Sequence, residues 1–226
     1  FIDLKYEKNA ALHLVLGLFT TYIIIQSLYV IILVTSASQH NVFNGVILPN
    51  IAIQPWSDFT FRPWTILTYA LTHANFLEMI TNLFWLYVFG NVIQAQIGYR
   101  NIIPLYAFAT LLAGGIYILA TTFLLSIPGS YYLLGFYAGN VAFAVASIVI
   151  NPGYNIPFTR SLKVPSWLPF VIYLALMTVR FLPEEDYAML VLCTAGGAIG
   201  ALYGILVKNG FDIGRKIYNI WDKTHD

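Results

Sequence analysis

His73, Glu78 and Asn82 stand five and then four residues apart on an otherwise apolar stretch, Leu71–Gly98, LTHANFLEMITNLFWLYVFGNVIQAQIG. Imidazole and carboxyl are the usual general acid–base groups, and a carboxamide can donate hydrogen bonds to a developing oxyanion. Hydrolysis would also need a nucleophile with a base beside it. None stands at an identifiable spacing: Ser147 lies far along another apolar run, and no histidine follows His73 until His225. No cofactor fingerprint and no metal-ligand spacing occurs, so neither a cofactor nor a metal is expected.

These residues sit in a chain of 226 residues that is 59% hydrophobic and 9% charged, with mean hydropathy +0.73. A soluble domain carries about 25% charged residues, so an integral membrane protein is expected. A carboxylate at the centre of a spanning helix costs about 2.5–3.5 kcal/mol on insertion scales, unless it faces a protein interior or a wet cavity. Glu78 therefore marks the inside of a bundle. Apolar runs follow one another without a polar block long enough for a second core, which predicts one membrane domain. Net charge is +1 with no basic stripe, so nucleic acid is not an expected partner. The lone Cys193 allows no internal disulfide. The first apolar run is longer than a signal h-region and lacks a small-residue cleavage site, so no cleavable signal is expected.

Six spans are expected: 11–34, 71–98, 102–125, 133–150, 167–179 and 188–207. They give a short N-terminal segment (1–10), a membrane domain (11–207) and a tail (208–226) that reads as an interfacial helix. Tyr218 and Trp221 of the tail are expected as membrane-surface anchors, with a docking motif as the alternative. His13 reads as an interfacial histidine. The connection 36–63 is long and polar-aromatic, with His40, Asn41, Asn44, Pro49, Pro55 and Trp56. Gly114–Gly115 allows close helix contact, the segment 151–166 reads as a loop, and Pro183–Asp186 as an acidic turn. Even span number puts both termini on one side. That side carries Lys5, Lys8, Arg100, Arg160, Lys163, Lys208, Arg215, Lys216 and Lys223, and the other only Arg62 and Arg180. The excess of cations predicts cytoplasmic termini.

The order His73-x4-Glu78-x3-Asn82, with Gly90 and Gly98 beyond, resembles the second helix of rhomboid intramembrane serine proteases, with Glu78 where those enzymes have a second His. Gly135-Phe136-Tyr137-Ala138-Gly139 resembles the Gly-Ala-Ser-Ala-Gly of one bacterial branch. Cys193-Thr194-Ala195-Gly196-Gly197 resembles the family's Ala-His-Leu-Gly-Gly. The resemblance runs from about Trp64 to Gly204, and the segment PGYNIPF…SLKVPSW resembles a Bacteroidetes-like branch. It implies an all-α membrane protein: a six-transmembrane-helix, rhomboid-like bundle with a long, partly membrane-inserted first outer loop, in the bacterial inner membrane. The catalytic serine is replaced by Tyr137 or Ala138, depending on the anchoring glycine; the base by Thr194; the second-span His by Glu78. His73 and Asn82 are retained, but Trp64–Thr65 lacks the family's Arg. Three simultaneous losses, with Phe136 and Tyr137 adding bulk, suggest natural loss of activity rather than one engineered change.

The resemblance thus implies a pseudoprotease that meets membrane lipid and the transmembrane helices of clients, or that forms a stable hetero-oligomer with partner membrane proteins. The alternative is an intramembrane hydrolase with a displaced mechanism; a transporter is disfavoured because no inverted repeat is visible. Gly196, Gly197, Gly200 and Gly204 read as a helix-packing surface, internal or between two copies. Asn82 and Asn140 are expected in buried interhelical hydrogen bonds. No cation is visible on the inner parts of neighbouring spans, so Glu78 is expected to be protonated. It is placed either in a cluster with Tyr137 and Thr194 or in a wet outward funnel.

Overall fold

The structure, a computed structural model, describes residues 9–35, 43–54, 56–123, 132–157 and 162–225. Lys5, Lys8, His40, Asn41, Pro55 and Arg160 lie outside the described residues, as do the side chains of Trp221 and Lys223.

Apolar runs long enough to span become helices, because in lipid the backbone must satisfy its own hydrogen bonds. Helix α1 is Ala10–Thr35; a first loop follows with the short helices α2 (Leu48–Ile51), α3 (Trp56–Phe59) and α4 (Thr65–Thr68). The remaining helices are α5 (Phe76–Ile97), α6 (Ile102–Phe123), α7 (Tyr137–Ile150), α8 (Trp167–Phe181), α9 (Tyr187–Lys208) and α10 (Ile213–His225). Among them α1, α5, α6 with its leading turn, and α9 are long and apolar enough to cross a membrane, while α7 and α8 are shorter apolar helices. The chain is an all-α membrane protein. The segment 151–166 is not loop throughout: β1 (Asn155–Pro157) pairs antiparallel with β2 (Lys163–Pro165), Ile156 opposite Val164.

The second apolar run starts later than its hydropathy suggests. Tyr69–Leu71 is a 3-10 turn, and Asn75 takes extended backbone and caps α5, its Oδ1 accepting from Leu77 N at 2.8 Å. His73 therefore precedes the helix instead of riding on it.

Helix α7 has 14 residues, about 21 Å at 1.5 Å per residue, short of a ~30 Å hydrocarbon core. Just before it Leu133, Gly135 and Phe136 are buried without helical hydrogen bonds. Buried irregular backbone is tolerated only when protein satisfies it. Here the first loop does so: Ile53 and Leu133 exchange N–H···O bonds of 3.0 and 2.8 Å, and Gly135 N donates to Tyr69 O at 2.8 Å. Ala52 and Ile53 are wholly buried, so this loop enters the bundle.

Helix α7 is buried nearly all round and α9 lies against it through its glycines. A Cβ on Gly196 would fall 2.6 Å from Ala138 O, one on Gly200 would overlap Ala142 O, and one on Gly204 would meet Val149 Cγ1 at 3.1 Å. Gly197 faces Val141 at 3.3 Å. Gly114 does not serve helix–helix contact: it makes room for Tyr69 and Ile53, and Gly115 faces open space. Helices α1 and α8 are peripheral, burying only Ala11, Leu18 and Tyr22, and Tyr173, Met177 and Phe181. Gly200→Ala forces backbones apart and should lower stability by about 1–3 kcal/mol. Gly115→Ala should be neutral or stabilise by up to about 1 kcal/mol. Thermal unfolding of the two purified variants in detergent measures the difference.

Candidate functional site

The Asn75 cap places Glu78 in the first turn of α5 and Asn82 one turn deeper on the same face. Glu78 Oε2 accepts from the Tyr137 hydroxyl at 3.3 Å, and Glu78 Oε1 accepts from Arg180 Nη2 at 3.1 Å and Nε at 3.4 Å. Arg180 also pairs with Glu184, one turn further along. The expectation of a Glu78 without a cation is thus corrected. Arg180 ends α8, 102 residues away, and only the packing of α8 beside α5 brings its guanidinium to the carboxylate. The two side chains are 30% and 45% exposed, so the pair is a modest contributor to stability.

Thr194 does not join this cluster. It is exposed and its hydroxyl donates to Leu190 O of its own helix at 2.8 Å. One residue is about 100° of helix rotation, and the neighbour that turns inward is Cys193, buried and within electrostatic range of Tyr69, Tyr137 and Tyr173.

His73 is buried at 1% exposure, its ring edge-on to Phe136 at 4.3 Å and to Tyr137 at 5.1 Å between centroids. Neither ring nitrogen has a hydrogen-bond partner. Gly135, at φ +120°, permits this closeness, since a Cβ there would lie 2.7 Å from His73 Nε2 and 2.6 Å from the Tyr137 ring. The two candidate nucleophile positions differ in surroundings. The Tyr137 phenol is directed at Glu78, while Ala138 is wholly buried with its backbone against Gly196. Ser147 Oγ donates to Ala144 O at 2.7 Å, within its own helix.

Deeper in, Asn82 Oδ1 accepts from Asn140 Nδ2 at 3.0 Å and from the Tyr173 hydroxyl at 3.1 Å, and Asn82 Nδ2 donates to Glu78 O at 2.9 Å. The three side chains join α5, α7 and α8 and are buried. Asn82 therefore joins the three helices through Oδ1, while its Nδ2 is spent on a carbonyl of its own helix. Tyr173 and Arg180 are the participants that sequence reading missed. Tyr173 had one signal, a phenol inside an apolar helix that needs a partner once buried; Arg180 had none beyond its position at a helix end. No group of three or more His, Cys, Asp or Glu suited to a metal occurs among the described residues.

Interhelical hydrogen bonds in membrane proteins are worth about 0.6–2 kcal/mol. A double-mutant cycle of Asn82→Ala and Tyr173→Phe should give a coupling in that range. Reversible unfolding in mixed micelles reads it, and additive single variants would show that the bond contributes nothing.

A family model described as eukaryotic integral membrane protein (DUF1751) matches residues 15–206. No curated protein matches the chain. The matched region takes in most of α1 and α9, all of α5 to α8, and the site residues from His73 to Thr194. Because the family is described as eukaryotic, the expected Bacteroidetes-like branch and the bacterial inner membrane are set aside. The chain belongs to the DUF1751 family of eukaryotic integral membrane proteins.

Proposed function

We propose that this chain is a non-proteolytic, rhomboid-like membrane protein that associates with transmembrane segments of client or partner proteins. The observation that carries the reading is the filling of the place where a rhomboid would hold its nucleophile. Phe136, Tyr137 and His73 pack edge to face there, and the carboxylate beside them is tied to a phenol and a guanidinium. A scissile peptide needs room and an activated oxygen; buried rings supply neither. The thoroughly packed α7–α9 contact supports internal use of the glycine face in preference to a dimer face.

The surface left for a partner is mostly apolar. Phe76, Leu77, Ile80 and Phe84 stand outward on α5, as do Val171, Leu174 and Val179 on α8. Such faces meet lipid or the apolar side of another spanning helix. Cytoplasmic termini remain part of this reading, on the strength of the nine-to-two distribution of Lys and Arg.

The full chain, co-reconstituted in liposomes with a fluorescent single-pass reporter, tests both halves. Energy transfer to the reporter without any cleavage, and no labelling by a serine-directed fluorophosphonate, is the expected result. Turnover of the reporter would favour a hydrolase with a displaced mechanism, and absence of energy transfer would remove the binding half. Mass spectrometry after gentle extraction then separates a stoichiometric subunit from a binder of many clients.

A further inference from the structure

The end of the bundle that carries α10 combines a fixed platform with an amphipathic helix. Asn101, 1% exposed, accepts at Oδ1 from the Tyr203 hydroxyl at 2.6 Å and from Gly214 N at 3.2 Å. A Cβ on Gly214 would overlap the backbone of Arg100, so α10 is seated directly on the turn between α5 and α6. The Tyr218 ring lies edge-on to Tyr99, and Arg100 stands over both rings. Gly214 and Tyr218 thus fix which face of α10 looks at the bundle.

The adjoining face is apolar and outward. At about 100° per residue, Ile213, Ile217 and Ile220 fall within about 60° of one another. Ile213 packs on the core, while Ile217 is 41% and Ile220 66% exposed. Phe211, just before the helix, is 56% exposed, with Lys216 Nζ 4.1 Å from its ring centroid. Lys216 flanks the apolar arc, Lys208 is exposed at the end of α9, Arg215 faces the other way, and Asn219 Oδ1 accepts from Arg100 Nη1 at 3.4 Å. An exposed apolar arc flanked by lysine, on a helix docked at the end of a membrane bundle, is the pattern of a helix lying in the headgroup layer. A soluble protein partner would have to reach the same arc through the membrane surface.

We propose that α10 lies in the interfacial layer of the bilayer and binds anionic phospholipid, with Phe211, Ile217 and Ile220 against acyl chains and Lys208 and Lys216 on headgroup phosphates. The docking on Asn101 makes this lipid contact part of the folded bundle. The tail is then a lipid-reading element and not a free extension.

The full chain in nanodiscs of phosphatidylcholine, with or without phosphatidylserine, tests it. With Cys193→Ala as background, a fluorophore on Ile217→Cys should be quenched by nitroxide lipid and one on Arg215→Cys by aqueous iodide. Amide-exchange protection of α10 should rise when phosphatidylserine is present. It should fall by about fivefold per cation in Lys208→Glu and Lys216→Glu. Exchange in α7 and α9 reports folding of the variants separately. Equal protection in both lipid mixtures, or iodide reaching position 217 as readily as 215, would overturn the proposal.

Discussion

The distance between α7 and α9 is the constraint on which the other packing depends. Gly196 and Gly200 set it, one turn apart, against the backbone at Ala138 and Ala142. Lipid tails are as apolar as leucine, so helices in a membrane gain nothing by hiding apolar surface; they gain from dispersion at close range and from hydrogen bonds. Small residues allow both. With α9 seated on one side of α7, its other sides are free to bury Phe143 and Asn140 among α5, α6 and α8. The start of α7 is thereby held at one depth, and Tyr137 with it.

Backbone accounting explains the first loop. A helix that begins inside the bundle leaves the buried stretch before it without helical partners. Ile53 and Tyr69 provide those partners for Leu133 and Gly135, which requires the loop to be buried as far as Ala52 and Ile53. Gly114 then has no side chain because Tyr69 and Ile53 occupy that space. The loop is thus a structural member of the bundle, and what fills the outer end follows from it: once Gly135 is pinned to Tyr69, Phe136 and Tyr137 have to lie against His73.

The polar residues divide into two tiers. The outer tier is the run of ion pairs Glu78–Arg180–Glu184, partly exposed, to which the buried Tyr137 hydroxyl donates. The inner tier, Asn82–Asn140–Tyr173, is neutral and buried. Ionic groups stay where some water screens and solvates them, and amides and phenols go where it does not. Both tiers attach α8, a helix that otherwise buries only one narrow face. At the opposite end, Asn101 does a similar task for α10 with one carboxamide oxygen.

Much of this was open to reading from residue types alone. Composition and run length give the membrane class and the order of apolar helices, because hydrocarbon thickness and backbone hydrogen bonding leave few alternatives. The four-residue glycine period on α9 gives its packing face, and the cost of a carboxylate in lipid turns Glu78 inward. What lay beyond reach were directions and partners. His73 leaves the helix because Asn75 caps it. Cys193 points inward and Thr194 outward because the glycines fix the rotation of α9. Arg180 and Tyr173 reach Glu78 and Asn82 across about a hundred residues because α8 packs beside α5. Periodicity along one helix carries its own faces, but it holds no information about which neighbour each face meets. That pairing is a property of how the helices stack, and only the tertiary structure decides it.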